Sequence, residues 1–177
     1  AAQLALEMER EIAKEPKLAW VLERIELPLL PVLLAMEEDG VLLDAALLAR
    51  MSQELAAELA GLEREIFAAA GEPFNLNSPQ QLGVILFEKL GYPVLGRTRK
   101  TKSYTTGAET LEELALRGYP LAEKILRYRE LSKLKSTYVD TLPALADTGG
   151  RLHTRFQQAV AATGRLSVDI VSPDVAD

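Results

Sequence analysis

The sequence predicts a mainly α-helical chain with a short antiparallel β segment near its C-terminus. Three observations predict it. Leu48, Met51, Leu55, Leu59, Leu62, Ile66 and Ala69 recur at spacings of three and four, one apolar stripe over ~7 helical turns. Helix punctuation recurs along the chain, with Asp44, Ser78-Pro79 and Pro120 at starts and Gly40, Gly71, Gly91 and Gly118 at stops. The run Arg151-Leu152-His153-Thr154-Arg155-Phe156 alternates apolar and polar residues, as a half-buried strand does.

Composition narrows the function classes. The 177 residues are 48% hydrophobic, enough for a folded core, and include no Cys. Disulfides, thiol nucleophiles and Cys-ligated metals are therefore excluded. No run of ~18 apolar residues occurs and no signal peptide is visible, so a cytoplasmic protein without a membrane partner is expected. The net charge of −6 hides an asymmetry. Residues 1–75 carry 15 Asp/Glu against 6 Lys/Arg, and residues 76–168 carry 8 against 14. Such a split suggests an anionic partner for the second half, the alternative being two solvated faces. The scarcity of Asn, with only Asn75 and Asn77, suits a thermophilic protein, and a GC-rich genome gives the same bias.

The elements follow in order. Residues 1–22 read as one acidic helix, Ala/Leu-rich, with the only Trp at position 20. Pro28 and Pro31 interrupt the next apolar run and predict a joint rather than a straight rod. After Gly40, Val41 to Asp44 is a short extended link, with Asp44 a candidate N-cap for the striped helix, which is scaffold. Ser78 with Gln81 forms a capping box, with Pro79 at the first helical position. A helix start is also a positive dipole end with free N–H groups, suited to a phosphate, and Asn75 and Asn77 add donors there.

Gly96 to Gly107 is the most polar segment. Arg97, Arg99, Lys100 and Lys102 fall within six residues, with Ser103, Thr105 and Thr106 beside them. Lacking apolar periodicity, it reads as a mobile loop suited to phosphodiester contacts or, alternatively, a solvated loop. Thr106 with Glu109 forms a second capping box for a helix to Arg117. Pro120 opens a longer helix to about Tyr138, whose basic residues Lys124, Arg127, Arg129, Lys133 and Lys135 do not fall on one stripe. His153, the only His, has no partners at metal-ligand spacing and is expected to bond locally.

Phe74-Asn75-Leu76-Asn77-Ser78, Tyr128-Arg129-Glu130-Leu131, Lys133-Leu134-Lys135-Ser136-Thr137-Tyr138, and His153-Thr154 through Ala162-Thr163-Gly164-Arg165-Leu166-Ser167 together resemble the family A DNA polymerases, the bacterial DNA polymerase I family. Met36-Glu37-Glu38-Asp39-Gly40-Val41, followed by Asp44, resembles that family's entry into its thumb. The resemblance covers roughly Leu22 to Ser167. It implies the end of a 3′–5′ exonuclease-like domain over residues 1–22, a helical thumb with long antiparallel helices over 23–146, and the start of the palm over 147–167. By position, Asn75, Asn77, Ser78, Lys100, Thr105, Arg129 and Lys133 match thumb positions that approach DNA phosphates. Arg97, in the basic loop, is expected to join them. Arg165 matches the arginine that reaches the minor groove, where N3 and O2 acceptors are shared by all correct pairs.

There are departures. After Ser167 the family continues with a Ser and a Pro-Asn-Leu-Gln-Asn run, whereas this chain continues Val168-Asp169-Ile170-Val171-Ser172-Pro173-Asp174-Val175-Ala176-Asp177, a divergent tail. The fingers and the palm carboxylates that hold two Mg²⁺ are absent from it, so no cofactor and no catalytic residue is expected in this chain, although the complete enzyme needs Mg²⁺. Thr101-Lys102-Ser103-Tyr104 lacks the glycine of many relatives' loops. The expected partners are primer–template DNA and the absent palm and fingers. The alternatives are a non-catalytic helical adaptor that uses the Leu48–Ala69 stripe as its partner surface and, weaker still, a proofreading nuclease.

Overall fold

A computed structural model describes residues 2–98 and 102–171. The chain folds as two compact units, one combining residues up to Asp44 with those from Pro143 onward, the other spanning Ala45–Leu142.

In the first unit, α1 (Ala2–Ile12) and α2 (Pro16–Val21) replace the single helix expected over residues 1–22. The break precedes Pro16, where Glu15 is extended at φ −114°, ψ 93° because the proline ring disfavours a helical residue before it. The chain stays helical through Pro28 and Pro31. The chain passes from α2 through a π-helical turn, Leu22–Glu26, into α3 (Leu27–Asp39). Pro28 falls in the first turn of α3, where a missing donor costs little, and the Leu27 N–H reaches Leu22 O in the widened turn just before it.

Gly40 ends α3 and β1 (Val41–Leu42) follows. β1 pairs antiparallel with β2 (Arg151–Gln157), Val41 opposite Leu152. β2 in turn pairs antiparallel with β3 (Ser167–Val171), from Gln157 opposite Ser167 to His153 opposite Val171. Residues 168–171, the start of the divergent tail, thus complete a strand. Only Leu33 and Leu152 are buried among this unit's described residues, while Trp20 keeps 58% of its surface exposed. Its apolar core is thin.

The second unit is helical: α4 (Ala45–Ala70), α5 (Pro79–Gly83) continuing into a π-helical turn, Val84–Lys89, then α6 (Ala108–Leu116) and α7 (Pro120–Leu134) with a terminal π-helical turn, Lys135–Val139. Along the α4 stripe Leu48, Met51, Leu55, Leu59 and Leu62 are half-buried and Ile66 is buried, and Ala70 rather than Ala69 is the last buried position. Lys124 reaches Glu65, Arg127 reaches Glu58 and Lys135 reaches Ser52, so positions rise along α7 as they fall along α4. The two long helices are antiparallel, and the stripe is covered from within the unit. The core joins Ile66 of α4, Leu82 and Leu86, Leu111 and Leu114 of α6, and Leu121 and Ile125 of α7. Each such side chain stabilises the fold by roughly 1.5–3 kcal/mol.

Candidate nucleic-acid interface

The second unit carries an open cleft of about 750 Å³ lined by Asn77, Pro79, Thr105, Thr110 and Arg129, among others. It gathers residues up to 52 positions apart in the chain, three of them expected phosphate contacts. At its floor α6 begins. The N-cap is Gly107 and makes no side-chain cap bond, so the Thr106–Glu109 capping box is not formed. Thr106 is turned inward instead, 4% exposed, and its carbonyl accepts from Arg129 Nη1 at 2.6 Å. Burial lowers the Arg129 pKa from its ordinary value, and among the described residues its guanidinium makes no other hydrogen bond at the cleft wall. Thr110 Oγ1 donates to Thr105 Oγ1 at 3.3 Å, linking the two hydroxyls. Glu109 also lines this cleft and opposes an anion there.

The Asn75–Ser78 turn forms the other wall. Ser78 Oγ accepts from the Gln81 N–H at 3.4 Å, the expected half of the capping box. The reciprocal half differs: Gln81 Oε1 accepts from the Asn75 N–H at 2.7 Å, not from Ser78. Asn75 Oδ1 accepts from the Asn77 N–H at 2.9 Å. Asn75 and Ser78 therefore shape the turn, and the exposed Asn77 side chain is the one that reaches the cleft.

Gly96 to Gly107 is not a structureless loop in its described part. Arg97 and Tyr104 form an antiparallel bridge, Thr98 donates its N–H to Ser103 O at 2.8 Å, and Thr105 donates its own to Gly96 O at 3.1 Å. Arg97 is engaged inside this hairpin, donating to Lys102 O at 2.9 Å, with its guanidinium 4.4 Å above the Tyr104 ring. Lys100, together with Arg99, lies outside the described residues.

Helix α7 separates its cations by face. At about 100° per residue, Lys124, Arg127 and Lys135 lie within about 80° of one another, and Arg129 and Lys133 lie about 40° apart on the opposite side. The first set is neutralised locally. Lys124 pairs with Glu65 at 2.6 Å, Arg127 with Glu58 at 3.1 Å and with Glu130 at 3.2 Å, and Lys135 with Asp140 at 2.6 Å. Hydrogen bonds from Lys124 and from Lys135 lower the pKa of Glu65 and of Asp140 respectively, and bonds to Glu58 and Glu130 raise that of Arg127. Lys133 is exposed and has no ion pair among the described residues. It lines an adjoining cleft with Arg129 and the ion-paired Arg127, and with Glu112, Glu123 and Glu130.

In the first unit, Arg165 is exposed in the turn that leads into β3, beside Gly164 at φ +73°. His153 bonds locally as expected. Its Nδ1 lies 2.8 Å from Glu37 O and its Nε2 3.2 Å from Asp147 Oδ2. Both partners accept, so the doubly protonated ring satisfies both, and its pKa is raised, first by the Glu37 carbonyl and then by Asp147. Among the described residues no three His, Asp or Glu side chains gather as a metal site would require. Sequence reading overlooked Tyr104 and Thr110. The available signal was a single aromatic in an otherwise polar run, beside a helix start with three threonines.

The family model described as DNA polymerase family A matches residues 45–172. A thermostable DNA polymerase I of Thermus thermophilus is 49% identical over 168 residues, covering 94% of this chain and 20% of that protein. That of Thermus aquaticus is 53% identical over 154 residues, 86% of this chain and 18% of that protein. DNA polymerase I of Pseudomonas aeruginosa is 51% identical over 153 residues, 86% and 17%. This chain thus spans about a fifth of the length of these relatives. The solved structure of the POL domain of Pol1 from M. smegmatis, in complex with DNA primer-template and dNTP, superposes with a TM-score of 0.82 at 34% identity, covering 94% of this chain and 29% of that one. With matched motifs, a matching helical architecture and half-identical relatives, the chain belongs to DNA polymerase family A.

Proposed function

We propose that this chain is the duplex-gripping portion of a DNA polymerase of the DNA polymerase I type. Residues 23–146 act as the thumb, 147–167 begin the palm, and 1–22 end the preceding exonuclease-like domain. The observation that carries the reading is the cleft in which Asn77, Thr105 and Arg129 meet at the start of α6, with Lys133 one helical turn further along α7. Hydroxyls, an amide and a guanidinium at a helix start supply charge and donors without base-specific geometry, which is what a sugar-phosphate backbone needs. Asn75 and Ser78 hold the wall of that cleft. By family position Lys100 is a further phosphate contact and Arg165, in the first unit, the minor-groove donor.

The complete enzyme uses Mg²⁺ for in-line phosphoryl transfer. The described carboxylates form no cluster that fits such an ion, so no chemical step is assigned to this chain. Its contribution is to bind and orient the product duplex. The adaptor reading is disfavoured because the C-terminal part of the stripe it would use, Leu62 and Ile66, already packs in the unit's own core.

Equilibrium binding to a labelled primer–template, titrated with salt, tests the reading. The expected result is retention at low salt and a clearly negative slope of log affinity against log salt, with Arg129→Ala and Arg165→Ala each weaker and no nucleotide incorporation with Mg²⁺. Salt-independent retention, or incorporation by the pure chain, overturns it.

A further inference from the structure

Tyr104 is the one aromatic side chain between Gly96 and Gly107. Its ring packs on Phe87 with centroids 4.9 Å apart, and the Arg97 guanidinium lies on it at 4.4 Å. Two glycines make room for this arrangement. A Cβ at Gly83 would stand 3.0 Å from Tyr104 Cβ, and one at Gly96 would stand 2.9 Å from Thr105 Oγ1. The residue after Tyr104 is Thr105, fixed by its N–H to Gly96 O and by its hydroxyl to Thr110.

We propose that Tyr104, clamped between Phe87 and Arg97, is a positioning residue that sets the Thr105 hydroxyl into the Arg129 cleft, and that Arg97 serves the anionic partner through this clamp rather than by touching it. The inference rests on the reading of that cleft as a duplex-phosphate site. Tyr104 and Thr105 both line that cleft, and the Tyr104 ring is half-buried against Phe87. Holding the ring there fixes the backbone that presents the Thr105 hydroxyl to the cleft. The cation–π contact and the Arg97 bond to Lys102 O close the hairpin over the ring. No hydrogen bond involves the Tyr104 hydroxyl among the described residues, so the ring and not its polar tip carries the effect.

The test uses the full chain and a fluorescent primer–template duplex. Tyr104→Phe is expected to bind as the wild type does, and Tyr104→Ala and Thr105→Val to bind about 3- to 10-fold more weakly. Adding Thr105→Val to Tyr104→Ala is expected to cost nothing more, because the hydroxyl is already misplaced. Amide exchange should show lost protection at Thr105 in Tyr104→Ala and unchanged protection at Leu111 and Ile125. Tyr104→Leu, which keeps the apolar fill but offers no face to Arg97, is expected to lose affinity as the alanine variant does, and it stands in if that variant does not fold. Losses that multiply in the double variant, or a Tyr104→Ala protein that binds like the wild type, overturn the positioning role alone. A wild-type chain that ignores the duplex at low salt overturns the cleft reading itself.

Discussion

The division of the α7 cations makes a quantitative prediction. Lys133 is exposed and without an ion pair among the described residues, whereas Lys124, on the opposite side of the same helix, is held by Glu65 at 2.6 Å. Each phosphate neutralised by a cation contributes about 0.9 to the slope of log affinity against log salt on B-form DNA. If Lys133 makes one such contact, Lys133→Ala should make the slope shallower by about 0.9. At about 0.1 M salt that corresponds to an affinity about 8-fold weaker, about 1.2 kcal/mol. Lys124→Ala removes the same formal charge two and a half turns away, and its slope should change by well under half as much, since that charge is already paired with Glu65. The assay is fluorescence anisotropy with one primer–template duplex from about 0.05 to 0.2 M salt, a range in which a one-contact difference shrinks about 3.5-fold. Equal slope changes for the two variants would falsify the division: binding would then follow net charge, and the face of α7 would not matter.

Three further predictions concern stability. Leu114 is fully buried and Leu116, two residues on, is 84% exposed, so Leu114→Ala should cost about 3 kcal/mol in urea unfolding and Leu116→Ala less than about 0.5; similar values would show that α6 packs through another face. Gly40 has φ +62° and ψ −177°, and a Cβ there would stand 2.7 Å from the Leu152 carbonyl oxygen. Gly40→Ala should cost about 2–3 kcal/mol by thermal melting, and a cost under about 0.5 would mean that α3 and β2 separate easily. The His153 pKa is raised from its ordinary 6.5, so its stabilisation is complete below about pH 6.5 and lost as pH rises through the folded value. Asp147 is lowered from 3.8, first by the Arg151 N–H and then by His153, so its contribution is present above that value and lost as pH falls through the folded one. Melting temperature should therefore decline as pH rises above about 6.5 in the wild type and flatten in His153→Asn; an identical decline in both would remove His153 from the account.

Much of the helical framework was legible because its signals are local. The stripe from Leu48, the Ser78-Pro79 start and the Gly118-Pro120 junction each depend on residues within a turn or two of one another, and each lies where the periodicity puts it. The alternation at residues 151–156 likewise became a strand. The misreadings also came from local rules. One helix was expected over residues 1–22, yet it breaks at Glu15-Pro16, while the chain stays helical through Pro28 and Pro31. Thr106 has the sequence of a cap but is drawn inward by the core, and Gly107 takes its place.

Sequence by itself determined the family, the helix positions and a list of cations and hydroxyls suited to phosphate. Tertiary structure decided which of them are free. Lys124, Arg127 and Lys135 are spent on α4 and Asp140, Arg97 is folded onto Tyr104, and Asn77, Thr105 and Arg129 converge on one cleft. The reason is physical. A charge's availability depends on partners up to 83 residues away, as with Lys135 and Ser52, and no periodicity along the chain encodes which helix will lie opposite.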